Sequence, residues 1–266
     1  MPFAENKGVR LSWQEQGQGT PILLIMGHRF SSALWYPILP VLTARHRVIW
    51  FDNRGTGDSD STPHTSVREL AEDALAVMDA AHVERAHIFG VSMGGVIALE
   101  LAMQAPQRVT SLIIGCSGIL TPDKPRMPGF LRVLYYLPTW VLRLLVSKGT
   151  ITKGYGSAAS PEQIATDLAM IEKDKSNTRG VIAQAVAVSA HNTTREAVAA
   201  LTMPALVLHG DEDQLVPLAY GVELAEALPN SRLVKLAGAG HNFLVARGDE
   251  AAREVLEFVS GIDQRG

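Results

Sequence analysis

Short apolar runs rich in branched residues alternate along this chain with longer segments of helical periodicity. The runs lack the strict alternation of a half-exposed strand, so they are typical of strands covered on both faces. One helical segment begins at Ser66, where Glu69 three residues later completes a capping-box pattern. The alternation of strands and helices predicts an α/β fold with a mostly parallel central sheet and flanking helices. The predicted strands are residues 21–26, 47–52, 86–91, 109–115, 205–209 and 232–236, with the start of an antiparallel hairpin at 9–15.

The alternation stops at residue 118 and resumes after residue 200. The intervening segment opens with several prolines and glycines. It continues with a stretch, residues 130–146, that is almost entirely apolar apart from Arg132 and Arg143. Two further helix-like stretches follow, so we predict a helical cap inserted into one core domain. The cap is residues 118–200, and the α/β core is residues 1–117 and 201–266.

The apolar stretch at 130–146 leaves three roles open. Its side chains could line an apolar pocket over the core, lie at a membrane interface, or form the surface of a homodimer. The two arginines and the central Pro138 make the membrane role the weakest of the three. Ordinary packing inside the protein is expected to account for more than half of these side chains.

Composition is ordinary for a globular protein. Of the 266 residues 47% are hydrophobic and 19% are charged, which is too apolar for a disordered chain. The net charge of −3, without Lys/Arg-rich runs, gives no basis for a nucleic-acid partner. No uninterrupted apolar stretch reaches about 18 residues, and the single cysteine, Cys116, cannot form an internal disulfide. We therefore expect a soluble cytoplasmic protein with no membrane span.

The strongest chemical signal is Gly90-Val91-Ser92-Met93-Gly94, a G-x-S-x-G sequence directly after a predicted strand and before a predicted helix. A sharp turn there exposes the serine hydroxyl at the carboxyl end of the sheet, and the glycines relieve crowding around it. The N–H groups at the start of the helix favour negative charge. Ser92 is the predicted nucleophile, and the alternative is a glycine-rich turn with an incidental serine.

A serine hydroxyl needs a base to accept its proton, and histidine suits that task near neutral pH. Of the eight histidines, His241 lies in a glycine-containing loop after the last predicted strand and before the final helix. That loop reaches the same sheet edge as Ser92, so His241 is the predicted base. The third member should be an acid on a loop between them, where Asp211, Glu212 and Asp213 are adjacent. Spacing alone does not separate these acids.

These segments, in this order, resemble the α/β-hydrolase fold superfamily over nearly the whole chain except the insertion. The loop Asp52-Asn53-Arg54-Gly55-Thr56-Gly57-Asp58-Ser59 is similar to the family's D-x-R-G-x-G-x-S loop. The family pattern G-x-x-D, followed by three residues and a proline, resembles the sequence from Gly210 to Pro217 and selects Asp213 as the acid. The other two acids are then turn residues.

The resemblance also implies an oxyanion hole made of two backbone N–H groups. One belongs to Met93, the residue after the nucleophile. The other follows a His-Gly pair that usually ends the third strand; this chain reads Met26-Gly27-His28, and the second N–H is assigned to His28. The Met-Gly form is similar to that of the aclacinomycin-type methylesterases. The His28 side chain either contacts the substrate or serves only the backbone geometry.

We expect a serine hydrolase in which Ser92 attacks a carbonyl, His241 moves its proton and Asp213 orients the imidazole. The expected substrate is a carboxylic ester or lactone with an apolar body. No cofactor or metal is expected, because the histidines and acids do not fall at ligand spacing. The alternatives are a hydrolase of a carbon–carbon bond in a β-diketone-like compound and a ligand receptor without turnover. The residues expected to contact substrate are His28, Tyr136, Trp140 and His191.

Overall fold

A computed structural model describes residues 1–122, 124, 154–175 and 177–265. The strands in this part of the chain are β1 (Phe3–Asn6), β2 (Val9–Gln16), β3 (Pro21–Ile25), β4 (Arg47–Phe51), β5 (Ala86–Val91), β6 (Val109–Gly115), β7 (Ala205–Gly210) and β8 (Ser231–Leu236). The helices are α1 (Leu39–Thr43), α2 (Val67–Ala80), α3 (Met93–Gln104), α4 (Pro161–Lys173), α5 (Thr178–Ala190), α6 (Arg195–Ala199), α7 (Leu218–Ala227), α8 (Phe243–Ala246) and α9 (Gly248–Asp263).

The strands form one eight-stranded sheet in the spatial order β1-β2-β4-β3-β5-β6-β7-β8. Every neighbouring pair from β4 to β8 is parallel, whereas β2 pairs with β1 and β4 in the antiparallel direction. The edge hairpin turns through Lys7 and Gly8, which both have positive φ, as a type I′ turn requires. The predicted α/β class with a mostly parallel sheet is therefore confirmed. The short strand β1 was not predicted.

The core lies on both faces of the sheet, which explains the uninterrupted apolar runs. In β3, Leu23 and Ile25 pack among residues of α2 and α3. Ile22 and Leu24, which point to the other face, pack with Trp35 and residues of α9. All six residues of β5 are buried, so the strand that precedes Ser92 is fixed from both sides.

The chain between β6 and β7 contains α4, α5 and α6, where the sequence predicts helices at 161–171 and 181–190. Ser160 caps α4, and its hydroxyl and the Gln163 side chain form a capping box with each other's backbone. Residues 130–146, the apolar stretch of the predicted cap, lie outside the described residues. The division into core and cap therefore stays a prediction.

No helix in the described part of the chain is both long enough and apolar enough to cross a membrane.

Candidate active site

The turn between β5 and α3 holds Ser92 in a backbone conformation that few non-glycine residues adopt, with φ 53° and ψ −119°. A Cβ on Gly90 would overlap the Gly94 carbonyl, and a Cβ on Gly94 would overlap the Ile25 carbonyl. Both glycines are thus required by the close approach of α3 to the sheet. The Ser92 N–H donates to Gly115 O at 2.8 Å, which anchors the turn to β6.

Three side chains that are distant in sequence form a line of hydrogen bonds at the carboxyl edge of the sheet. The Ser92 hydroxyl lies 2.9 Å from His241 Nε2. On the other side of the ring, His241 Nδ1–H donates to Asp213 Oδ2 at 2.8 Å. In this order of hydroxyl, imidazole and carboxylate, the histidine can accept the serine proton while the carboxylate orients the imidazole ring.

The Asp213 carboxylate is buried, at 7% exposure, and its second oxygen is also occupied. Oδ1 accepts hydrogen bonds from the N–H groups of Leu215 at 2.8 Å and Val216 at 2.9 Å. Burial alone raises the pKa of Asp213, but the hydrogen bonds and charge of His241 and these two N–H groups outweigh it, so the pKa lies below its ordinary value. The group is an anion at neutral pH.

The two neighbouring acids have other partners. Asp211 Oδ1 accepts a hydrogen bond from the Gly238 N–H at 2.7 Å. The exposed Glu212 carboxylate accepts bonds from the backbone N–H and the hydroxyl of Ser157, both at 2.7 Å. Both acids therefore tie loops together, and neither occupies the position next to His241 that Asp213 holds.

His209, at the end of β7, supports Asp213 from the side opposite His241. Its Nε2–H donates to Val216 O at 2.9 Å and lies 3.5 Å from Asp213 Oδ2. Burial lowers the pKa of His209, so the ring is neutral. From the sequence, His209 is expected only to close a strand and shape the next turn. The signal for its place beside the acid is its position at the end of β7, four residues before Asp213.

Cys116, His209 and Asp213 bring one ligand-type atom each within 4.8 Å of one another. Burial and the nearby Asp213 raise the pKa of the Cys116 thiol well above its ordinary value, so it stays protonated. Its sulfur accepts a hydrogen bond from the Gly210 N–H at 3.5 Å. A protonated thiol and a ring nitrogen that donates to a carbonyl suit a packed support for Asp213 better than a metal centre.

The backbone beside Ser92 offers two hydrogen-bond donors. A Cβ added to Gly27 would lie 3.3 Å from Ser92 Cβ, so the chain leading to His28 passes next to the nucleophile. Within the described residues, neither the His28 N–H nor the Met93 N–H donates a hydrogen bond. Met93 is the first residue of α3, where unpaired N–H groups favour an anion. Both predicted oxyanion donors therefore lack an acceptor within the part of the chain that the structure describes, and their role stays a prediction.

Of the four residues expected to contact substrate, the structure describes His28 and His191, and these two have different neighbours. The His28 ring does not point freely into solvent, because its Nε2–H donates to Val181 O of α5 at 2.8 Å and burial lowers its pKa. His191 Nε2 lies 3.0 Å from Thr193 Oγ1 and 3.8 Å from Glu100 Oε2. It lines a cavity of 690 Å³ whose described lining includes no triad residue. Tyr136 and Trp140 lie outside the described residues.

The fold and this constellation define the class of protein. Residues 20–246 match the family model described as alpha/beta hydrolase fold. The match spans most of the chain, which therefore belongs to this family.

Several proteins that match this chain over nearly its full length are named as hydrolases. It is 33% identical to "Putative carbamate hydrolase RutD" of Azorhizobium caulinodans, over 99% of this chain and 100% of the relative. It is 26% identical to the pimeloyl-[acyl-carrier protein] methyl ester esterase of Aliivibrio salmonicida, over 96% and 97%. The crystal structure of the enol-lactonase from Burkholderia xenovorans LB400 superposes with a TM-score of 0.85 at 26% identity, covering 97% of this chain and 100% of that one. The protein is an α/β-hydrolase enzyme.

Replacing Asp213 by Asn should separate its role from that of Asp211. Asp213→Asn leaves the packing in place but removes the charge that orients His241, so kcat for p-nitrophenyl acetate should fall by about 10³-fold to 10⁴-fold. Asp211→Asn keeps an oxygen for the Gly238 N–H and should change kcat by less than about threefold. Equal losses in the two variants, with both folded by circular dichroism, would contradict the assignment.

Proposed function

We propose that the protein is a serine hydrolase that cleaves a carboxylic ester or lactone of an apolar small molecule through an acyl-enzyme. The observation that carries this proposal is the hydrogen-bonded line Ser92–His241–Asp213, together with the His28 and Met93 N–H groups, which have no acceptor among the described residues. It supplies a nucleophile, a base, an orienting charge and donors for an oxyanion in one place.

In the first half of the reaction, Ser92 Oγ attacks the carbonyl carbon while its proton passes to His241 Nε2. The carbonyl oxygen becomes an oxyanion and accepts hydrogen bonds from the His28 and Met93 N–H groups. The buried carboxylate of Asp213 stabilises the imidazolium that forms. The carbon–oxygen bond to the leaving group then breaks, and the leaving oxygen takes the proton from His241 Nε2.

In the second half, water replaces the leaving group. His241 Nε2 accepts a proton from the water as its oxygen attacks the acyl carbon, and the same N–H groups bind the second oxyanion. Collapse of this intermediate returns the proton to Ser92 Oγ and releases the acid. A lactone follows the same course, except that the leaving alcohol stays attached to the acyl group.

The preference for esters and lactones draws on the names of the relatives as well as on the site. The Aliivibrio relative is named a methyl ester esterase, and the Burkholderia structure is an enol-lactonase. The apolar body of the substrate rests on the sequence prediction that the apolar stretch at 130–146 lines a pocket, since ligand pockets are lined mainly by apolar side chains. The hydrogen bond from Ser92 to a base favours turnover over the role of a passive receptor.

A fluorophosphonate probe tests the activated serine directly. The wild-type protein should be labelled at Ser92, because attack on phosphorus needs the proton transfer to His241 that ester cleavage uses. Ser92→Ala should abolish labelling, measured by intact mass and peptide mapping. The matched control is Ser117→Ala, which removes a buried hydroxyl from the loop after β6 and should keep labelling near the wild-type rate. An unlabelled wild-type protein, or a label on another residue, would refute the proposal.

Carbamate hydrolysis is the second candidate, and the 33% identity to the full-length Azorhizobium relative favours it. A carbamate nitrogen donates its lone pair to the carbonyl and makes it less electrophilic than the carbonyl of an ester.

A panel of matched alkyl compounds separates the candidates by kcat/KM. The ester and the lactone should exceed the carbamate by at least about tenfold, as measured by proton release in weakly buffered solution. A β-diketone of the same chain length should be cleaved more slowly still. The highest kcat/KM on the carbamate would replace the ester proposal with a carbamate hydrolase, and the highest value on the β-diketone would replace it with a carbon–carbon hydrolase.

A further inference from the structure

The chain between β6 and β7 is bonded to the loop that carries one of the two oxyanion donors. We call residues 26–31 the oxyanion loop. Its first residue is bonded to the loop after β4, since Asn53 Nδ2 donates to Met26 O at 2.9 Å. Three further hydrogen bonds join it to α5 and to the residue after α4: His28 Nε2 with Val181 O at 2.8 Å, Arg29 N with Gln184 Oε1 at 3.0 Å, and Ser31 N with Asp174 Oδ2 at 3.0 Å.

Gln184 makes the most specific of these contacts. Its side chain is fully buried, at 0% exposure. The amide oxygen accepts the Arg29 N–H, and the amide nitrogen donates to Arg54 O at 3.0 Å. One side chain thus joins the oxyanion loop to the loop after β4, because its amide supplies both an acceptor and a donor.

The loop after β4 is a rigid base for this bridge. Arg54 forms a two-pronged ion pair with Asp73 of α2, with both bonds 2.6 Å long and both side chains buried. Gly55 and Gly180 of α5 approach so closely that a Cβ on either residue would overlap the backbone of the other. The start of α5 therefore packs against this loop. Gln184 lies one helical turn after Gly180, so this packing also fixes its position.

The anchored residue is strained. Arg29 has φ 72°, a left-handed conformation that a non-glycine residue keeps only when its surroundings hold it. Arg29 follows His28 directly, so the orientation of the peptides around His28 depends on how Arg29 is fixed. The family's usual His-Gly pair is replaced here by Met26-Gly27, and the bond from Gln184 supplies an anchor from outside the loop.

We infer that Gln184 is a positioning residue for catalysis: it holds Arg29 so that the His28 N–H faces the oxyanion formed at Ser92. The chain between β6 and β7 therefore takes part in assembling the oxyanion hole. The kinetic consequence rests on the proposed function, whereas the anchoring of Arg29 does not.

The test replaces Gln184 by Met, which keeps the length of the side chain and removes both hydrogen bonds. Hydrogen exchange of the Arg29 amide, followed by NMR on the full chain, should accelerate by at least about tenfold. On p-nitrophenyl acetate, kcat should fall by about tenfold to a hundredfold, because a small misplacement of a catalytic group is this costly. KM should stay within about threefold, since the donor acts mainly in the transition state.

Two further variants make the result specific. Gln163→Met removes a glutamine from α4 whose amide donates to Val245 O and accepts from the Ser160 N–H, and which has no hydrogen bond to the oxyanion loop among the described residues. It should alter neither Arg29 exchange nor kcat. Gln184→Glu keeps an oxygen opposite the Arg29 N–H, so the protection of Arg29 should return. If Gln184→Met does not fold, the wild-type protein decides the question, because an Arg29 amide that exchanges at the rate of an unprotected peptide would overturn the inference.

Unchanged Arg29 exchange in folded Gln184→Met would overturn the inference. Faster exchange with an unchanged kcat would overturn its catalytic part. A wild-type protein that fluorophosphonate does not label would instead count against the proposed function, while the exchange rates would still decide whether Gln184 anchors the loop.

Discussion

The left-handed backbone at Ser92 is the constraint on which the whole site depends. It turns the chain from β5 into α3 over so short a distance that the hydroxyl stands above the sheet edge and the first N–H groups of the helix lie beside it. Such a conformation survives only where the surroundings hold it. Here the fully buried strand β5 and the contact of Gly94 with the end of β3 provide that support.

The parallel sheet explains why the other groups meet Ser92. The carboxyl ends of β3, β5, β7 and β8 lie at one edge, so the loops that carry His28, Asp213 and His241 leave the sheet on the same side. The buried carboxylate of Asp213 would be costly without partners. Its bonds from backbone N–H groups and from His241 satisfy it, and the neutral His209 packs alongside.

Much of this architecture is local and could be predicted. Strands β5 and β6 have the bounds that their apolar runs indicate, and the turn at Ser92 is encoded in five consecutive residues. Other features depend on contacts between distant parts of the chain. Asp211 and Asp213 look alike in sequence and differ only in what surrounds them. The contact of Gln184 with Arg29 joins residues 155 positions apart, and no periodicity reports it. Strand β1, with four residues, was too short for a pattern to indicate.

The central claim is that His241 donates from Nδ1 to Asp213 and accepts from Ser92 at Nε2. Nitrogen-15 NMR of the imidazole distinguishes a protonated ring nitrogen from a bare one, and His241→Gln assigns the signal. The account predicts that His241 carries its proton on Nδ1 at neutral pH, whereas His28 and His209, which donate to carbonyl groups, carry theirs on Nε2. A His241 protonated on Nε2, with Nδ1 bare, would contradict it, because the ring could then neither accept the serine proton nor donate to the carboxylate.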